Sequence, residues 1–153
     1  MVKNMRLEKL IGMAGEYCTA LQLCMLGVDC GLVKQDGTDI VATKSVDGSL
    51  LVPQRIEVKT ATYINKDLYN FQVVQGGDKR PYTKAECDII ALCAIKERSV
   101  IFFNVEKFQD KKTKKIHIND FRREEHIKMS WEQSLYESQK HTRIALTNEK
   151  KKS

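Results

Sequence analysis

The sequence predicts an α/β chain, on three observations. Apolar residues recur at steps of three or four through residues 3–25, the period of an amphipathic helix. The middle of the chain alternates apolar and polar residues between turn signals, the period of strands. Residues 88–95 (DIIALCAI) form the most apolar run, short and β-branched, as a central strand buried on both faces would be.

Each element follows in order. The helix presents Leu10, Ala14, Cys18, Leu21 and Met25 as one stripe, with Gly12 and Gly15 allowing close backbone packing and Gly27 ending it. Residues 28–33 make a first strand, turning at Gln35-Asp36-Gly37. A hairpin runs from Asp39 to Lys59 about a turn at Asp47-Gly48, with Pro53 tolerable only near the start or edge of its second strand. Residues 60–64 stay extended, residues 65–67 turn, and residues 68–74 alternate Tyr69, Phe71 and Val73 against Asn70 and Gln72. Residues 75–81 read as an irregular loop and residues 82–86 as a short turn of helix; strands at 88–95 and 100–105 close the core. A lysine cluster at 111–115 precedes a short alternating stretch. Residues 129–140 form a terminal helix docked by Trp131, Leu135 and Tyr136, and residues 148–153 are expected to be disordered.

The hairpin carries the chemistry. Alternation puts Glu57 and Lys59 on one face while Val58 points into the core, and the hairpin brings Asp39 to the same end of the sheet. Two carboxylates and a backbone carbonyl suit a hard cation such as Mg²⁺. A lysine beside it can orient a water or stabilise charge on a phosphate. Solvated strand-face charges are the plainer alternative. Glu16, off the helical stripe, offers a third carboxylate.

A chain of 153 residues suits one domain, and 42% apolar with 30% charged residues is an ordinary soluble balance. No apolar run approaches a membrane span and no signal peptide is evident, so an intracellular, cytoplasmic protein is expected, without a membrane partner. The five cysteines form no CxxC pair and read as reduced core thiols; His117, His126 and His141 read as surface or groove residues. Residues 1–105 hold 13 basic against 12 acidic side chains, and residues 106–153 hold 13 against 8. That asymmetry points to a polyanion, and nucleic acid fits it better than a membrane; a solubilising basic tail is the plainer alternative. Lys79, Arg80, Lys111, Lys112, Lys114, Lys115, Arg122 and Arg123 are the candidate DNA contacts.

Asp39, the Glu57-Val58-Lys59 triplet and the Gly12–Glu16 segment (GMAGE) together resemble the PD-(D/E)XK nuclease superfamily. The likeness covers roughly residues 10–105 and is nearest to the small bacterial and phage endonucleases that include a cyanobacterial group I intron homing endonuclease. Thr38 stands where the family usually has proline, and Glu57 where that homing enzyme carries glutamine. The resemblance implies a restriction-endonuclease-like core of helix, mixed central sheet and flanking helices. It implies Mg²⁺, with Mn²⁺ as a substitute, held by Asp39, Glu57 and the Val58 carbonyl. Lys59 would position the attacking water and Glu16 would support the site. On this view residues 1–110 are the nuclease core, residues 111–147 a basic extension and residues 148–153 a tail. A site-specific duplex endonuclease acting as a homodimer or homotetramer is expected. Archaeal Holliday junction resolvases, which share the Gly/Glu helix and the EVK element, and a silent DNA-binding protein are the alternatives.

Overall fold

A computed structural model describes residues 5–77 and 79–152. Helix α1 (Met5–Met25) leads into β1 (Val28–Gln35), β2 (Thr38–Ser45) and β3 (Gln54–Ala61). The short β4 (Ile64–Asn65) and β5 (Leu68–Gln72) follow, then the two-residue strands β6 (Val74–Gln75) and β7 (Arg80–Pro81). The strands β8 (Ile89–Ala94), β9 (Ser99–Asn104) and β10 (Thr113–His117) precede α2 (Ile118–Arg122), α3 (Glu125–Ser138) and α4 (Lys140–Lys152). Lys3 and Ser153, within the expected helix and tail, lie outside the described residues.

The main sheet has the order β1-β2-β3-β8-β9, antiparallel except for the parallel pair β3–β8, so it is mixed. Every residue of β8 is buried, which its apolar run requires. Alternation divides them. Ile89, Ala91 and Cys93 join a core with Leu23 of α1 and with Ile127, Trp131 and Leu135 of α3. Ile90, Leu92 and Ala94 join the opposite core, beneath β5, β10 and α2, with Tyr69, Phe71, Ile116 and Phe121. Three layers result: helices α1 and α3, the main sheet, and a small sheet of order β10-β5-β4 with α2.

Several elements differ from their expected form. The expected stripe of α1 is divided: Leu10, Leu21 and Met25 are exposed, Ala14 and Cys18 are half-buried with Cys18 against the core, and the fully buried residues of the helix are Gly15, Thr19 and Leu23. Gly15 decides this, because a Cβ there would fall 1.8 Å from Thr60 Oγ1, so only glycine lets the helix lie so close to β3. Gly12 meets nothing within 4 Å. Residues 82–86 form a single hydrogen-bonded turn that does not extend into a helix: the Glu86 and Cys87 N–H groups both donate to the Thr83 carbonyl, as the expected short helical turn would have them. The 75–81 loop holds the β6–β7 pair; Asp78 lies outside the described residues.

The basic C-terminal third does not stand apart. Strand β10 pairs with β5 along its length, and α3 supplies three residues to the α1 core. Residues 148–152, expected to be disordered, continue α4. Of the expected docking residues, Trp131 and Leu135 are buried, with Trp131 edge-on to Phe102 at 5.2 Å. Tyr136 is exposed and stacks on the Arg143 guanidinium at 3.7 Å; Ile127 takes the buried place instead. All five cysteines are free thiols, but Cys24 is exposed and only Cys87 and Cys93 are fully buried. Trp131→Ala is expected to cost ~3–5 kcal/mol in chemical unfolding. Tyr136→Ala, which loses one exposed cation–π contact, is expected to cost no more than ~1 kcal/mol.

Candidate active site at the splay of β2 and β3

The antiparallel ladder between β2 and β3 runs through Ala42↔Gln54, Val41↔Arg55 and Ile40↔Ile56, and stops there. Beyond it the strands part, and a side chain takes the place of backbone: Asp39 Oδ2 accepts the Val58 N–H at 2.8 Å. The N–H and C=O of one strand residue leave by the same edge, so the Val58 carbonyl also points toward Asp39.

The other partners come from three elements. Glu57 and Lys59 project from β3 on the face opposite Ile56 and Val58, with Lys59 Nζ 3.6 Å from Glu57 Oε1. Glu16 reaches Asp39 from α1, brought there by the close approach at its neighbour Gly15. Tyr82, in the turn before β8, donates its hydroxyl to Glu57 Oε1 at 3.0 Å, and Lys59 Nζ lies 4.9 Å from the centre of its ring. Tyr82 is buried and was not among the sequence-predicted site residues. Its only sequence signal is a tyrosine at the end of a loop, which says nothing of where the ring goes.

Crowding of like charge in a half-dry place governs the electrostatics. Burial, then the Asp39 charge, push the Glu57 carboxyl up to about 7, against the pull of Lys59 and Tyr82. Burial, then its hydrogen bond and repulsion with Asp39, push Glu16 up to about 7 as well. Burial and the facing Glu57 carboxylate push the Tyr82 phenol well above its usual range, so it stays a donor. Such an arrangement can hold a proton on one carboxyl or accept a cation among several.

The carboxylates meet pairwise at Asp39, and among the described residues no three His, Cys, Asp or Glu side chains group as a ready metal cage. The donor set still fits Mg²⁺, which uses one or two carboxylates and keeps several waters.

Of the candidate DNA contacts, Lys111, Lys112 and Lys115 are exposed on or beside β10. Lys79 and Arg80 lie in the β6–β7 hairpin. Lys114 points to the other side of β10, over the Phe103 ring at 5.8 Å. Arg122 is paired with Glu97 at 3.3 Å and Arg123 with Glu125 at 3.2 Å.

No family model matches the sequence, and no curated protein matches it. Among solved structures, a bacterial homing endonuclease, I-Ssp6803I, has the same fold: TM-score 0.65 at 14% identity, over 94% of this chain and 99% of that one. The mixed central sheet, its helices and the C-terminal third therefore belong to a fold that a homing endonuclease uses.

The raised Glu57 carboxyl fixes a pH signature. Its value rises from 4.5 unfolded to about 7 folded, so the folded chain holds a proton in that window that the unfolded chain has lost. Stability falls as pH rises through the window and the loss is complete above it. Glu57→Gln is expected to raise the melting temperature at pH 8 by about 3 °C or more, and to change it little at pH 5. Thermal melts at the two pH values, without divalent metal, check it.

Proposed function

We propose that this chain is a Mg²⁺-dependent, site-specific DNA endonuclease of the homing type with a PD-(D/E)XK active site. One observation carries the reading: Asp39, Glu57 and Lys59 converge at the splay of β2 and β3 on the fold of a homing endonuclease.

Asp39, Glu57 and the Val58 carbonyl would hold the metal. When bound, Mg²⁺ supplies positive charge at the reacting phosphate and eases ionisation of a coordinated water. The chain's own residues do the rest. Asp39 is fixed by the Val58 N–H, so its second oxygen remains for the cation. Tyr82 fixes the Glu57 carboxylate and carries Lys59 across its ring, which limits where the ammonium can go. Lys59 is itself partly exposed, with its side chain 25% accessible, and can orient a water or bind a phosphate oxygen as charge develops there. Glu16 presses on Asp39 and is the natural acceptor of a shared proton before metal binds. Mn²⁺, with similar oxygen preference, is expected to replace Mg²⁺.

One site opens one strand. Double-strand cutting therefore takes at least two copies, and we infer a homodimer or homotetramer on a roughly two-fold target. The outer face of α1, where Leu10, Tyr17, Leu21 and Met25 are exposed, is apolar surface of the kind a second copy covers. Among the described residues no helix is long and apolar enough to cross a membrane.

Lys59→Ala and Asp39→Asn separate the two roles. Lys59→Ala is expected to slow cleavage by about 10²–10³-fold while leaving duplex affinity and calorimetric Mg²⁺ binding near wild type. Asp39→Asn is expected to weaken Mg²⁺ binding itself. Parallel loss of DNA binding and cutting in Lys59→Ala would count against its assignment.

Substrate choice separates a homing enzyme from a junction resolvase. On a randomised library of linear duplexes, the wild-type protein is expected to cut a small set of sites on both strands. A four-way junction offered beside them should not be preferred. Symmetric nicking of junctions with no favoured duplex site would give the resolvase.

A further inference from the structure

The small sheet has a polar face that its folding leaves unused. In the antiparallel pair β5–β10, residues directly opposite share a face: Asn70 with Lys115, and Gln72 with Thr113. All four are exposed, while their neighbours Tyr69, Phe71 and Ile116 are buried in the core below. Among the described residues, the side chains of Asn70, Gln72 and Lys115 have no hydrogen-bond or ion-pair partner. Packing accounts for the inner face of this ribbon and not for the amides on the outer one.

Position adds to this. A groove of about 630 Å³ runs from Lys59 and Thr60 past Tyr63 to Asn70 and Gln72. A second hollow of about 370 Å³ shares Tyr63 and Asn70 with it and continues to Lys66 and Lys115. The ribbon face therefore adjoins the candidate active site along one continuous depression. Glu8 is the one acidic residue lining either hollow among the described residues.

We propose that the outer face of the β5–β10 ribbon reads base edges in the major groove of duplex DNA, on the base pairs adjoining the cut. Asn70 and Gln72 are the specificity-determining residues. A two-stranded ribbon fits the major groove, and an Asn or Gln amide pairs bidentately with adenine N6 and N7, matching donor and acceptor at once. Lys115, opposite Asn70, can reach a guanine edge or a phosphate. This proposal rests on the endonuclease reading for its placement beside the cut; base reading itself does not need cleavage.

The test keeps the two apart. Duplexes from a randomised pool are selected by binding in Ca²⁺, with wild-type protein and with Asn70→Ala/Gln72→Ala, and the wild-type pool is assayed separately for Mg²⁺-dependent cutting. Both changes lie on the solvent face, and a thermal melt checks that the double variant is folded. The wild-type protein is expected to select a site containing A·T pairs next to the cut. The double variant should lose that preference about tenfold or more at two or three adjacent pairs, with affinity for unselected duplex almost unchanged. An identical selected sequence from both proteins, or no selection by the wild-type protein, overturns the ribbon proposal. Cutting with unchanged preference sinks the ribbon and leaves the nuclease, whereas selective binding without cutting does the reverse.

Discussion

The parallel pairing of β3 with β8 is the constraint on which the rest depends. It starts from a fork: Asp88 accepts the Arg55 N–H at 2.8 Å and the guanidinium Nε and Nη2 at 3.2 Å each, while its own N–H returns to the Arg55 carbonyl. From there the register carries Glu57 beside Ile90 and Lys59 beside Leu92. With β8 buried on both faces, slipping this pair by one residue would turn Ile56 and Val58 out of the core and Glu57 into it. The chemistry-bearing face of β3 is thus fixed by apolar residues that take no part in chemistry.

That rigidity lets the fold hold groups that repel one another. A free strand would swing Glu57 away from Asp39 into water, where each carboxylate ionises at little cost. Here Asp39 is tied to the Val58 N–H and Glu57 to Tyr82, so burial and, after it, repulsion from Asp39 stay in force and raise the Glu57 carboxyl's affinity for a proton. A cation answers the same repulsion. On the proposed metal-dependent reading, stability without a cation and readiness to bind one would be opposed at this site.

Charge on the exterior is sorted rather than pooled. Some basic residues of the last third serve the fold, as Arg122 on Glu97 and Lys107 on Glu137 do. Others stand free of the core on the β10 edge of the groove, where a polyanion can meet them. A count of charges along the chain cannot make that distinction, because the partners are distant in sequence.

The sequence by itself determined the elements and the chemical inventory. Period-two alternation placed Glu57 and Lys59 on one face, and the run at 88–95 marked the central strand, because strand burial is written residue by residue in the choice of side chain. It misjudged part of α1, whose Leu10, Leu21 and Met25 are exposed while Gly15 and Thr19 are buried beside Leu23. Hydrophobicity cannot signal a contact whose virtue is smallness; that a Cβ at Gly15 would clash is known only once Thr60 is opposite it. Tyr136 was misjudged for a like reason, since composition does not say which face of a helix finds a partner. Tertiary structure alone decided that Tyr82 closes over Glu57, that Glu16 reaches Asp39, and that β10 returns to β5 to build the polar ribbon. Each of these joins residues 23 to 49 positions apart, and such a join is set by packing the whole chain rather than by any stretch of it.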